Sequence, residues 1–271
     1  MSAPIPPPEP KPGTPEELQM HIFSAYWNLR YGMAIVSFAL PLLVFAVAYY
    51  LGGGVGLQDS MSDYYWAPRQ DGVRPPSRDF FVGGLFALAV FFYLYKGFSP
   101  KENLALNIAA VFALGVAIFP MAEKDLPDAS KVSLHGFCAV TMFLVLVYVI
   151  WFRADETLKF VPPDAWPSAK AYLLAYRIIG VVMVVSPLIA FVTSLWVRRA
   201  SFVFFVEAAG IWAFAAFWAL KSWELKNSSA TAKAVQGKLA LDPATDTLRE
   251  VPKARAAEAA PTVAREEISG F

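Results

Sequence analysis

The sequence is poor in charged residues for its length. Only 17% of its 271 residues are Asp, Glu, Lys or Arg, against roughly 25% in ordinary soluble chains, while 57% are apolar. Soluble domains of this length could not bury so much apolar surface, because the buried fraction grows only slowly with chain size. The formal net charge of +1 gives no sign of a nucleic-acid partner, which needs a clustered basic face. The composition therefore indicates a polytopic membrane protein.

Cysteine and histidine are scarce as well, and this limits the metal chemistry. Cys138 is the only cysteine, so an intramolecular disulfide and a cysteine-based metal site are both excluded. His21 and His135 are the only histidines, which excludes a three-histidine zinc site and bis-histidine haem ligation within the membrane. The Walker, G-x-S-x-G and H-E-x-x-H signatures are missing too. We therefore expect no bound metal and no cofactor.

What the sequence does contain is a set of long apolar runs. A helix needs about 20 residues to cross the hydrocarbon core, and no run alternates with period two as the strands of a β-barrel do. The six runs cover about 32–52, 80–96, 103–121, 132–152, 172–196 and 201–220. The pattern predicts an all-α integral membrane protein with six transmembrane helices in one bundle.

The two ends of the chain differ from this membrane domain, which we place at residues 14–226. Residues 1–13 are dense in proline and predict a disordered arm. Thr14, Pro15 and Glu17 form a typical helix start, so order is expected to begin there. Residues 227–271 are rich in Ala, Lys, Glu, Asp, Thr and Pro, and predict a disordered cytoplasmic tail.

The distribution of Lys and Arg predicts the orientation. The short flanks on the side of the N-terminus hold more of these residues than the opposite flanks, and cytoplasmic loops carry such an excess. We therefore expect both termini in the cytoplasm. The loop at about 53–79 then lies outside.

The candidate functional residues are ionisable side chains at membrane depth, which are costly and usually face the interior of a bundle. Asp79, His135 and Glu207 all lie near the external end of their spans, and each is followed by a small residue one turn later. Small residues mark helix faces that meet other helices, so the three side chains are expected to converge in an outward-facing cleft covered by the preceding loop. The candidate ligand-binding residues are Ser62, Asp63, Tyr64, Arg78, Asp79, His135 and Glu207.

Three interpretations of this cluster remain open: a structural contact between helices, a site for a ligand or lipid headgroup, and a catalytic site. A transporter is disfavoured, because the midplane stretches 87–90, 112–116 and 144–147 are almost entirely apolar. The opposite end has its own polar residues, which we interpret as structural. They are Asn103, Asn107, Arg177, Lys221 and Glu224.

Several short segments carry a resemblance to known proteins. They are 60–65 (SMSDYY), 78–85 (RDFFVGGL), 95–97 (YKG), 113–120 (ALGVAIFP), 134–136 (LHG) and 205–207 (FVE). Over about residues 30–225 the chain resembles bacterial six-span membrane proteins grouped as a domain of unknown function, and this resemblance implies a bacterial cytoplasmic (inner) membrane. More loosely, it is similar to the eukaryotic DRAM/Sfk-type six-span proteins, which are linked to membrane and lipid homeostasis. The intramembrane ceramidase-like hydrolases need histidines that this chain lacks.

The expected function is to bind or organise membrane lipid, or another membrane protein, through the outward-facing cleft. The alternative is a membrane-embedded hydrolase that uses His135 as base or ligand together with Asp79 and Glu207.

Overall fold

The computed structural model describes residues 14–67, 76–121, 133–196, 201–242 and 244–251. Within these ranges six helices are long and apolar enough to cross a membrane, which confirms the predicted fold class. They are α1 (Pro15–Tyr50), α2 (Ser77–Leu94), α3 (Pro100–Ile118), α4 (Leu134–Phe152), α5 (Ala169–Trp196) and α6 (Phe202–Asn227). The expectations for residues 1–13 and 252–271 lie outside the described residues.

Capping residues explain where several helices begin. Thr14 accepts a hydrogen bond from the backbone N–H of Glu17, with Pro15 in the first turn, as the sequence predicts. Ser99 and Ser133 cap α3 and α4 in the same way. Each hydroxyl satisfies a backbone donor that has no partner within the helix.

Two helices are longer than the apolar runs that predict them. The segment that starts at Pro15 and the first apolar run form one continuous helix of 36 residues, α1. At the other end of the chain, α6 continues to Asn227, seven residues beyond the predicted limit at about 220. The extension contains Lys221 and Glu224, which are buried against other elements, so tertiary contacts support the helix beyond the apolar run.

The six helices form a ring. Each helix packs against the next in the chain, and α6 closes the ring against α1. The interior contains one apolar cluster around Met33, Phe92 and Trp218 and a second around Val44 and Phe204. Large apolar side chains also cover the outside of the ring, as expected for a surface that faces lipid.

Residues 230–242 and 244–250 contain secondary structure, where the sequence predicts a disordered tail. They form a short helix, α7 (Ala230–Val235), and an antiparallel hairpin of β1 (Leu239–Asp242) and β2 (Thr247–Glu250). The hairpin packs against the bundle: Leu248 is buried and the Asp246 carboxylate lies 3.0 Å from the Arg153 guanidinium. The composition of this polar segment does not reveal these few contacts, which hold it against the bundle.

Candidate functional site

Consecutive helices run antiparallel, so the bundle has two ends with different chemistry. We name one the cap end: it holds the starts of α2, α4 and α6 and a loop segment, residues 59–67, that we name the cap. We name the other the network end: it holds the first half of α1, the starts of α3 and α5, and the last turns of α4 and α6. The predicted site residues lie at the cap end.

The cap is attached to α6 at two points. The backbone N–H of Phe204 donates to the carbonyl oxygen of Asp59, at 2.9 Å. The backbone N–H of Met61 donates to Oε2 of Glu207, at 2.7 Å. A carboxylate that accepts from a backbone N–H makes a strong, charge-assisted hydrogen bond. Glu207 therefore holds the cap against the bundle.

His135 holds the cap from the other side. Its side chain is 5% exposed, and Nδ1 lies 2.8 Å from the carbonyl oxygen of Phe119. Since a carbonyl can only accept, Nδ1 carries the proton, and in the neutral ring Nε2 is the acceptor. The hydroxyl of Ser62 lies 3.0 Å from Nε2 and donates to it. One imidazole thus links the end of α3, the start of α4 and the cap.

The cap also folds on itself and packs into the bundle. Asp63 Oδ2 accepts from the N–H of Ser60, and the Ser60 hydroxyl accepts from the N–H of Asp63. The Tyr64 ring is fully buried, and its hydroxyl accepts from the N–H of Gln58. Burial raises the pKa of the Tyr64 hydroxyl above its usual value. The space that the sequence predicts as a cleft is therefore filled by the cap.

Arg78 and Asp79 lie apart from these contacts. Arg78 stacks on Tyr65, with the guanidinium carbon 4.1 Å from the ring centroid, and donates to its hydroxyl at 2.8 Å. Asp79 is exposed in the first turn of α2, where the helix dipole stabilises a carboxylate. It makes no side-chain hydrogen bond or ion pair with another described residue. The structure thus joins Ser62, His135 and Glu207 through the cap and leaves Asp79 outside.

The network end contains far more buried charge than the sequence predicts. Six charged side chains of the described residues are buried or nearly so at this end, three cations and three carboxylates. They are Arg30, Arg153, Lys221, Glu102, Glu156 and Glu224. Burying an unpaired charge is costly, so this balance is what allows the group to exist inside the protein.

Lys221 lies at the centre of one half of this network. Its ammonium group donates to the carbonyl oxygen of Ala154 at 2.7 Å, to the Thr157 hydroxyl at 2.6 Å and to Glu224 Oε2 at 2.6 Å. These three bonds use all the donors of an ammonium group. The hydroxyl of Tyr176 also contacts Glu224, at 3.4 Å. The contacts connect α5, α6 and the segment that follows α4.

Arg153 lies at the centre of the other half. Its guanidinium is 2.6 Å from Glu156 Oε1, 2.6 Å from the Ser99 hydroxyl and 3.0 Å from Asp246 Oδ2. Nearby, Glu102 accepts from the backbone N–H of Phe98 at 2.8 Å. The C-terminal hairpin thus supplies a carboxylate to the bundle.

Arg30 enters the network from α1. It is 1% exposed, and its positive charge acts on the hydroxyl of Tyr95, which follows α2. Burial raises the pKa of the Tyr95 hydroxyl, and the positive charge of Arg30 opposes that shift.

Sequence reasoning identified Lys221 and Glu224 but missed Arg30, Glu102 and Arg153. Each missed residue has a local pattern that explains it without burial. Glu102 completes an S-x-x-E capping box after Ser99, and Arg30 and Arg153 flank apolar runs, where cations usually reach the interface. The sequence did contain one signal that could have found them: in the predicted topology, all of these residues lie on the same side of the membrane.

A groove on the lipid-facing surface of the ring is the third feature. It lies at the network end, over α6 and between α1 and α5, with a volume of about 710 Å³. Its lining residues are mostly apolar or aromatic, with two polar residues at the end of α6. They are Trp27, Tyr31, Ile179, Ala216, Ala219, Leu220, Trp223, Lys226 and Asn227.

Side-chain size explains the groove. Ala216 and Ala219 are exposed on α6, and their small side chains leave the space open. Trp27 and Tyr31 form one wall, with ring centroids 4.8 Å apart, and Ile179 of α5 lies on the other side. An apolar channel with a polar end matches the shape and polarity of a lipid.

Side chains that could bind a metal ion do not form a cluster in the described part of the chain. Within residues 14–67, 76–121, 133–196, 201–242 and 244–251, no three His, Cys, Asp or Glu side chains are arranged to hold a metal ion.

Comparison with protein-family models, characterised proteins and solved structures finds no match to this chain. The resemblance to the six-span bacterial group therefore stays a prediction, and function must be argued from the geometry of the described residues.

Proposed function

We propose that this multi-pass membrane protein binds membrane lipid, and that an acyl chain occupies the groove between α1 and α5. The groove itself carries the proposal. It is open toward the lipid, it is lined by aromatic and aliphatic side chains, and its volume is within the range of small-molecule sites. If both termini are cytoplasmic, the groove faces the cytoplasmic leaflet of the bacterial inner membrane.

The geometry supports this groove better than the outward-facing cleft. At the cap end His135 and Glu207 are engaged by the cap, and the ring of Tyr64, which packs against Phe204, is fully buried. A headgroup could enter only by displacing packed residues. The cap residues are better explained as structural, whereas a lipid could enter the groove without displacing protein.

Native mass spectrometry of the full chain, extracted in a mild detergent, tests the proposal. We expect wild-type protein to retain at least one phospholipid. Ala219→Leu should reduce this retained lipid, because the larger side chain fills the floor of the groove. Ala25→Leu is the matched control, since Ala25 is exposed on α1 but does not line the groove. Equal retention by wild type and Ala219→Leu would contradict the proposal.

A hydrolase is the second candidate, and one observation favours it. The Ser62 hydroxyl donates to Nε2 of His135 while Nδ1 donates to a carbonyl oxygen, which is the geometry of a nucleophile and its general base. In such a reaction Oγ would add to an ester carbonyl as its proton passes to Nε2. The imidazolium would then protonate the leaving alcohol, and water would hydrolyse the acyl-serine. In this form Ser62 takes the place that the sequence analysis gave to Asp79 and Glu207.

A fluorophosphonate probe tests this second candidate without knowledge of the substrate. Labelling of the full chain should disappear in Ser62→Ala and fall strongly in His135→Gln. It should persist in Ser24→Ala, which changes an exposed serine of α1. Wild-type protein that is not labelled, or labelling that does not depend on His135, would remove the hydrolase candidate.

A further inference from the structure

We infer that the groove selects an anionic phospholipid, and that Lys226 is the residue that recognises the headgroup. This inference rests on the proposed lipid binding, and it adds the chemical class of the lipid. Its basis is the position of one charged side chain at the end of an apolar groove.

Lys226 is the one charged residue among the described residues that line the groove. It is exposed and lies in the last turn of α6, three residues after Trp223. Its side chain makes no ion pair with another described residue. A cation at the C-terminus of a helix is favoured by the helix dipole, so the ammonium group is stable there while still available to a ligand.

Two buried or nearly buried carboxylates at this end of the bundle already have cationic partners. Glu224, two residues earlier in α6, is fully buried and paired with Lys221 at 2.6 Å. Glu156 is paired with Arg153 at 2.6 Å. Because these carboxylates are paired within the network and no ion pair joins Lys226 to another described residue, the ammonium group of Lys226 is available to a ligand of the groove.

The other polar residue of the groove is committed to the protein. The side-chain amide of Asn227 donates to the Tyr172 hydroxyl at 2.9 Å and to the carbonyl oxygen of Trp166 at 3.4 Å. Its donors are therefore occupied within the bundle. A negatively charged headgroup would find its attractive partner in the Lys226 ammonium group.

The aromatic side chains set the depth of the site. Tryptophan and tyrosine prefer the level of the lipid headgroups, and Trp27, Tyr31 and Trp223 line the groove close to Lys226. An acyl chain beside Ala216 and Ala219 would then leave its headgroup near the ammonium group. A lysine close to an anionic lipid surface typically adds about five-fold to affinity.

Titration of delipidated full-length protein, followed by native mass spectrometry, tests the inference. The probes are phosphatidylglycerol and phosphatidylcholine with identical acyl chains. We expect the first phosphatidylglycerol to bind about five-fold more tightly than the first phosphatidylcholine. Lys226→Gln should lower the preference for phosphatidylglycerol to about one. Lys226→Arg should keep the preference.

Lys170→Gln is the matched control, because Lys170 is an exposed cation of α5 that does not line the groove. Equal affinity of wild type for the two lipids, or the same loss of preference in Lys170→Gln, would overturn the inference. Ala219→Leu separates the two proposals. If Ala219→Leu weakens the binding of both lipids while wild type binds the two lipids equally, the proposed lipid binding stands and the headgroup inference fails. If Ala219→Leu weakens the binding of neither lipid, or if it instead dissociates a dimer that contains no lipid, both proposals fail.

Discussion

Polar side chains connect the elements of the bundle at both the cap end and the network end, but they do so by different kinds of contact. At the cap end Glu207 accepts a hydrogen bond from a backbone N–H of the cap, and His135 accepts one from a hydroxyl of the cap. These two bonds hold a segment whose other packing is mainly apolar. At the network end cations and carboxylates hold one another, and the connected elements are helices and a C-terminal hairpin. Loss of one hydrogen bond is tolerable at the first end, whereas loss of one charge leaves its partner buried and unpaired at the second.

The largest expected effect is that of Lys221→Met. The change leaves Glu224 buried without a cation, and breaking a buried pair typically costs about 3–5 kcal/mol. We expect a loss of that size in the free energy of unfolding, measured by denaturant titration in mixed micelles. The double variant Lys221→Met/Glu224→Leu should recover much of it, since no charge is then left unpaired. A single variant as stable as wild type would show that the network tolerates imbalance.

Glu207→Leu should have the next largest effect. It leaves the N–H of Met61 without its carboxylate partner, and a hydrogen bond to a charged group is worth about 1.5–3 kcal/mol. We expect a lower unfolding temperature together with faster hydrogen exchange across the cap. Glu207→Gln keeps an acceptor and should cost much less. If the two substitutions cost the same, Glu207 does not hold the cap by this bond.

Asp246→Ala tests the contribution of the hairpin to the network. Arg153 keeps Glu156 as a partner, so no buried cation is left alone, and we expect a cost of about 1 kcal/mol or less, as for partly exposed pairs. Hydrogen exchange should rise in β1 and β2. Exchange in α4 should change little. Protection unchanged in the hairpin would mean that its other contacts, among them the buried Leu248 and the Lys233–Glu250 pair, keep it in place.

The smallest expected effect is that of Ser62→Ala. Nε2 of His135 loses a neutral hydrogen bond, worth about 0.5–1.5 kcal/mol, while the Phe119 contact and the Glu207 contact still hold the helices and the cap. The unfolding temperature should fall slightly, and less than in Glu207→Leu. A larger fall than in Glu207→Leu would make His135 the principal fastening of the cap.

Local sequence signals predicted the helices well, because each signal acts over a few residues. Apolar length identified six spans, and Thr14 with Pro15 located the start of α1. The same signals failed where the partner is remote. Nothing near Ser62 in the sequence indicates that its hydroxyl meets His135, which is 73 positions away, and nothing near Asp246 indicates Arg153.

The candidate site was predicted only in part, for a related reason. His135 and Glu207 could be chosen because an ionisable residue inside an apolar run is costly and therefore conspicuous. Arg30 and Glu102 could not, since residues at the ends of apolar runs have ordinary explanations at the membrane interface. Asp79 met the sequence criterion and yet is exposed in the first turn of α2.

The sequence by itself determined that the chain crosses the membrane as a six-helix bundle, because the cost of exposing backbone polar groups to lipid permits little else for such apolar runs. Only the tertiary structure decided which polar groups meet. Packing the helices in a ring brought Ala154 and Thr157 to Lys221 and Arg153 to the hairpin, and it left Ala216 and Ala219 at the floor of an open groove. Those outcomes depend on how side chains of distant helices fit together, and no local pattern contains that information.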